Sequence, residues 1–168
     1  MTAPSTPPDP APQPVIIERT YRAPLEDLWA LWTTKAGFES WWGPDGFRVE
    51  VHALDARPGG ALVYDMIADA PEAIAAMQRM GMPLSHGTRG QFAQLEPHAR
   101  LRLVHVIDFV PGSGPYETAI DVAFRAAGAH ATMVVTIHPH PTAHWSKMSE
   151  EGFRSQLTKL DRRFAAAG

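Results

Sequence analysis

Apolar residues along this chain follow two rhythms, one strand-like and one helical, and the switches between them mark the elements. From Val15 the run VIIERTYR is rich in β-branched residues, which suits a strand. Pro24 then stands where a first helical position belongs, with Glu26 and Asp27 in the first turn, where the helix dipole favours acids. Leu25, Leu28, Trp29 and Trp32 follow at helical spacing and predict a helix over 24–33. Thr34 can cap a second short helix over 35–42, which Gly43-Pro44 ends. FRVEVHAL (47–54) alternates Phe47, Val49 and Val51 against Arg48, Glu50 and His52. The turn Arg57-Pro58-Gly59-Gly60 leads into ALVYDMI (61–67). PEAIAAMQRM (71–80) has a helical pattern, after which strand patterns return over 87–96, 100–110, 116–125 and 130–138. One long helix, 142–166, closes the chain. Strand, two short helices, a run of antiparallel strands and a long final helix make an α+β layout. A strongly curved antiparallel sheet with that helix across its concave side would bury both apolar faces.

The long helix is uneven along its inward stripe. Phe153, Leu157, Leu160 and Phe164 recur at spacings of four, three and four, so its second half presents large side chains to the sheet. The first half continues the same face through Trp145, Met148, Ser149 and Gly152. A glycine inside a helix costs on the order of 1 kcal/mol relative to alanine. Either it leaves room for a pocket between sheet and helix, or it permits close packing against a large residue such as Tyr64. The chemistry of the strands bears on that choice. Tyr64 and Met66 share one face of their strand. Leu101, Leu103, His105, Ile107 and Phe109 form the apolar face of the next-but-one strand, so His105 is the polar member of an inward row. Tyr116, Thr118, Ile120, Val122 and Phe124 share a face on the strand after it. Cavity candidates are therefore Tyr64, Met66, His105 and Tyr116 from the sheet, with Trp145, Met148 and Gly152 from the helix. A histidine so placed can hydrogen-bond a ligand or move a proton near neutral pH. Met77 and Met80, with Met82, cluster in the helix over 71–80 and the turn after it, where flexible thioethers suit a lid over the cavity mouth or a contact with a second copy.

Composition narrows the function classes. The chain has 168 residues, enough for one core, with 15 basic and 18 acidic residues and no Lys/Arg run, so nucleic acid and anionic membranes are not expected partners. Cysteine is absent, which removes thiolate chemistry and cysteine-held zinc. No apolar run approaches the length of a membrane span, nor is there a signal-peptide layout, so a cytoplasmic protein is expected. His138, His140 and His144 invite a metal reading, but His138-Pro139-His140-Pro141 is no rigid scaffold and no pair has a recognised zinc spacing on one helix. The phosphate-binding glycine loops and the G-x-S-x-G elbow are missing, so no cofactor and no assigned catalytic residue are expected. Residues 1–14, with six prolines, read as a flexible tail before a single domain over 15–168.

RTYRAPLEDLWALWTTKAGFESWWGPDGF, DARPGGALVYDM and EEGFRSQLTKLDRRF together resemble the START-like (SRPBCC) superfamily, and within it the branch named after the activator of the heat-shock chaperone ATPase. The resemblance covers about 15–166, with Phe153 where tryptophan is commoner, and APEAIAAMQRMGMPLSHG (70–87) looks like an insertion of one sub-branch. It implies a helix-grip fold, a six- or seven-stranded antiparallel sheet around the long helix with an internal cavity. It also implies binding of a small apolar ligand there; a cyclase- or dehydratase-type enzyme using His105 or Tyr116, and a co-chaperone-like interaction domain, are the alternatives. Trp41 and Trp42 are adjacent on a helix, about 100° apart, so they cannot form one flat stacking platform. One indole is expected to pack with Phe38 and Phe47, the other to cover nearby surface or the cavity rim.

Overall fold

A computed structural model describes residues 13–108, 110 and 112–165. The expectation for a proline-rich tail therefore falls largely outside the described residues, as does Phe109 of the apolar row. Seven strands, β1 (Val15–Tyr21), β2 (Phe47–Leu54), β3 (Ala61–Ala68), β4 (Ser85–Glu96), β5 (Arg100–Ile107), β6 (Tyr116–Ala127) and β7 (His130–Ile137), form one sheet. The helices are α1 (Leu25–Thr33), α2 (Lys35–Glu39), α3 (Pro71–Arg79) and α4 (Ala143–Ala165). Strand order is β1-β7-β6-β5-β4-β3-β2, antiparallel throughout, so each hairpin pairs in sequence and β1 closes on β7. This is the curled sheet and long helix of a helix-grip fold.

Alternation decides which side chains meet α4. Leu101, Leu103, His105 and Ile107 are buried on β5, and Leu62 and Tyr64 on β3, while their odd-numbered or even-numbered neighbours face outward more exposed. Register places these inward residues side by side: Gly90 opposite His105, and His105 opposite Thr118. A Cβ at Gly90 would come within 2.3 Å of the Val104 carbonyl oxygen, so only glycine lets β4 approach β5 at the level of His105.

The core fills one end of this cradle. Trp32, Trp41, Phe38, Phe92, Leu157 and Leu160 are fully enclosed, each side chain stabilising the fold by about 2–3 kcal/mol. Trp41 and Trp42 are both buried and stand nearly perpendicular, at 83° with centroids 5.3 Å apart, so they are core and not a platform. The Trp41 indole N–H donates to the Leu31 carbonyl. The elbow that follows turns through Gly43, at φ +94°, a conformation that favours glycine. Three residues of α4 fasten it. Gln156 Oε1 accepts from Gly43 N–H at 3.0 Å, Ser155 Oγ accepts from Asp45 N–H, and Lys159 Nζ donates to the Gly43 and Phe47 carbonyls at 2.9 and 3.0 Å. The W-W-G-P-D-G-F stretch thus clamps the second half of α4 against the sheet.

Candidate functional site

That clamp leaves the first half of α4 unsupported. From Ala143 to Gly152 no residue of α4 is buried, whereas Phe153, Gln156, Leu157 and Leu160 are. A Cβ built on Gly152 would meet no described heavy atom within 4 Å, so the glycine faces open space and not a close neighbour such as Tyr64. At the end of the sheet where β3 and β5 finish, the inward residues Met66, His86, Thr88, Tyr116, Thr118 and Ile120 are half-buried, while Ile107 and Ile137 are buried. The same inward rows are closed toward the opposite end of the sheet, at Leu62, Phe92, Leu103 and Phe124. The inward face of the sheet and the first half of α4 are thus less buried toward the end where β3, β5 and β7 finish.

Two tyrosine–histidine pairs stand in this region, and neither is the pair suggested by strand alternation alone. His105 and Tyr116 occupy the same face two positions apart, because Ile107 and not His105 is the register partner of Tyr116. His105 Nε2 instead meets Tyr64 Oη at 3.0 Å. Trp42 Nε1 donates to the same Tyr64 oxygen at 3.0 Å, and the Trp42 ring stacks on His105, 15° from parallel with centroids 5.9 Å apart. Burial pulls His105 down to about 4 and pushes the Tyr64 phenol up. At neutral pH the imidazole is uncharged and accepts the Tyr64 proton at Nε2, which puts its own proton on Nδ1. The indole donor, the phenol and the imidazole so form an enclosed chain on the inward face of the sheet.

The second pair stands where β6 begins and β7 ends. Tyr116 Oη and His140 Nδ1 lie 2.6 Å apart, with the rings edge to face. His140 is buried, and Ser146 fixes its backbone, accepting from His140 N–H at 2.8 Å. Burial lowers His140 and raises Tyr116, keeping both neutral near pH 7. The three histidines considered for metal go separate ways: His138 Nε2 meets Asp121 Oδ2 at 2.6 Å, beside a bidentate Arg102–Asp121 pair, and His144 packs edge-on to Trp145.

The family scan gives a matching model over residues 22–165, described as Activator of Hsp90 ATPase homolog 1-like protein. The chain belongs to this family. No protein of curated description matches it. Among solved structures, this Hsp90-ATPase-activator-like chain is similar to the AHSA1 protein of Silicibacter pomeroyi, at 20% identity and TM-score 0.71, covering 92% of this chain and 99% of that one. It is likewise similar to a protein of Chromobacterium violaceum, at 20% identity and TM-score 0.69, covering 90% and 96%. At that identity the likeness establishes the fold, which is the fold the W-W-G-P, R-P-G-G and closing-helix motifs imply.

The remaining candidates of this activator-like chain are scattered. Trp145 is half-buried and Met148 is 49% exposed, both on the first half of α4. α3 follows β3 at the open end and is anchored where Asp69 and Ala70 N–H donate to the Gly46 carbonyl, but it buries no residue. Met77 is half-buried there, while Met80, just past the helix, is 65% exposed. Sequence reasoning passed over Trp42 as a hydrogen-bond donor, His86 and His140. The strand before β5 begins at Ser85 and not at residue 87, which is why His86 was not placed on the inward row. His140 follows β7 in a Pro-flanked loop that carries no periodicity, so only the fold brings it to Tyr116. Among the described residues, no helix is long and apolar enough to cross a membrane.

Proposed function

We propose that this protein binds a small, largely apolar molecule in the cleft between the open half of the sheet and the first half of α4. The observation that carries this reading is Gly152: it spends helix propensity at a position where no neighbour requires a missing side chain. The half-buried inward row opposite it supplies apolar surface from Met66 and Ile120 with neutral polar groups interspersed, the composition of a small-molecule site. His105 belongs to the floor in this reading. Its ring nitrogen is engaged by Tyr64, and no carboxylate partners it, which favours binding over acid–base catalysis at that residue.

The test is a fluorescence titration with a neutral naphthyl ketone dye, a dimethylaminonaphthalene carrying a propionyl group, against the wild type and Gly152→Phe. The first atom of the new side chain meets no neighbour, the ring projects into the space beside Gly152, and circular dichroism checks that the variant is folded. Saturable binding by the wild type and its loss in Gly152→Phe is the expected result. Equal binding by the two proteins, or none by the wild type, removes the cleft as the binding site.

A further inference from the structure

If the cleft is the ligand site, which this inference takes from the reading above, its polar groups specify what kind of molecule fits. The Tyr64–His105 pair is closed to a ligand at the phenol, because Tyr64 is buried and its hydroxyl already accepts from Trp42 and meets His105. Tyr116 differs in both respects that matter. Its side chain is half-buried at the mouth, not enclosed, and its hydroxyl has one partner among the described residues, His140 Nδ1. A phenol can donate once and accept twice, so Tyr116 has capacity left over. The pair can also reverse. With its proton on Nδ1, His140 donates to the phenol oxygen and frees the Tyr116 O–H to donate to a ligand. His140 is held for this by its backbone bonds to Ser146, whose hydroxyl also donates to the Thr142 carbonyl and so ties the loop to the start of α4.

Charge completes the specification. The inward positions that bound the cleft, Met66, Thr88, Ile107, Thr118, Ile120 and Gly152, carry no fixed charge. Of the carboxylates near these positions, Asp108 is exposed and Asp65 bonds His52 on the outer face, both acting on His86 by charge, and Glu150 is paired with Arg154 along α4. His86 and His140 are themselves held toward the neutral form by burial. An anionic ligand would lose its hydration here without gaining a cation, a cost of several kcal/mol. We propose that Tyr116, backed by His140, is the polar anchor of the cleft, and that its ligands are uncharged molecules presenting a carbonyl or similar acceptor oxygen to the phenol.

Three dyes sharing one dimethylaminonaphthalene body test this: the propionyl ketone, the parent without the carbonyl, and the corresponding carboxylate. Loss of one neutral hydrogen bond predicts that Tyr116→Phe weakens the ketone roughly 3- to 10-fold and leaves the parent within about 2-fold. The carboxylate binds the wild type at least 10-fold more weakly than the ketone, by the desolvation argument. Should Tyr116→Phe fail to fold, the wild-type complex alone decides, because a hydrogen-bonded carbonyl lowers the infrared C=O stretch of the bound ketone relative to the same dye in hexane. An unshifted stretch, an unchanged ketone affinity in Tyr116→Phe, or a carboxylate that binds as tightly as the ketone overturns the assignment. These outcomes differ from failure of the cleft itself, in which no dye binds or Gly152→Phe binds them all.

Discussion

Replacing His105 by glutamine should flatten a part of the acid sensitivity of this fold that can be worked out in advance. Burial among Tyr64, Trp42 and the inward β5 row holds the folded-state imidazole at about 4, against 6.5 when free. Above the free value neither state takes up the proton, so the histidine contributes nothing to pH dependence. As pH falls between the two values the unfolded chain is protonated while the folded chain is not, so stability falls, and the loss is complete below the folded value. The full interval is worth about 3 kcal/mol, and roughly 2 kcal/mol of it has appeared by pH 5. Glutamine retains an acceptor for the Tyr64 hydroxyl but cannot titrate. Urea unfolding followed by tryptophan fluorescence at pH 7.5 and pH 5 measures both proteins. His86 and His140, also held low by burial, are present in both and cancel in the difference. The wild type should be the more stable at pH 7.5, and that advantage should shrink by about 2 kcal/mol at pH 5. An advantage constant to within about 0.5 kcal/mol would show that His105 takes up its proton in the folded state as easily as outside it, and the enclosed Trp42–Tyr64–His105 chain would be wrong.

Two further substitutions probe the helix that bounds the cleft. Lys159→Met leaves the Gly43 and Phe47 carbonyls without their ammonium donor and should lower unfolding stability by about 2 kcal/mol; a loss under about 0.5 kcal/mol means the elbow is not fastened there. Gly152→Ala should raise stability by about 0.5–1 kcal/mol in the same urea assay, since the methyl group meets no neighbour, whereas destabilisation would mean that the position is closely packed.

Much of the architecture was legible in the chain because strand alternation and helical spacing are local signals. The β5 face of Leu101, Leu103, His105 and Ile107 and the β6 face of Tyr116 to Phe124 both follow from a period of two, and the observed burial agrees. The uneven stripe of α4, large after Phe153 and small at Gly152, matches the burial of Phe153, Leu157 and Leu160 and the open space beside Gly152. What alternation cannot carry is register. His105 finds Tyr64, 41 residues away, through the pairing of β3, β4 and β5, and Tyr116 finds His140, 24 residues away, through a loop without periodicity. The two tryptophans show the same limit. Helical geometry rules out a common platform, but only the three-dimensional packing makes Trp42 the indole that stacks on His105 and donates to Tyr64, and not a cover for the rim. The helix over 71–80 was expected for its alanine–methionine face, yet α3 buries none of it, since its anchorage comes from backbone bonds to Gly46 at its start.

The claim on which the functional reading rests is the location of the ligand, and methyl NMR reads location directly. The chain has seven methionines, and among the described ones Met66, half-buried on β3, and Met148, on the first half of α4, bound the proposed cleft, while Met133 is in the core and Met80 and Met82 are exposed. Titrating the ketone dye into protein carrying carbon-13 methionine methyls should move the Met66 and Met148 signals together, saturating with the fluorescence, and leave Met80 and Met82 in place. Shifts confined to Met80 and Met82, or no shift at Met66, would put the ligand outside the cleft and contradict the account.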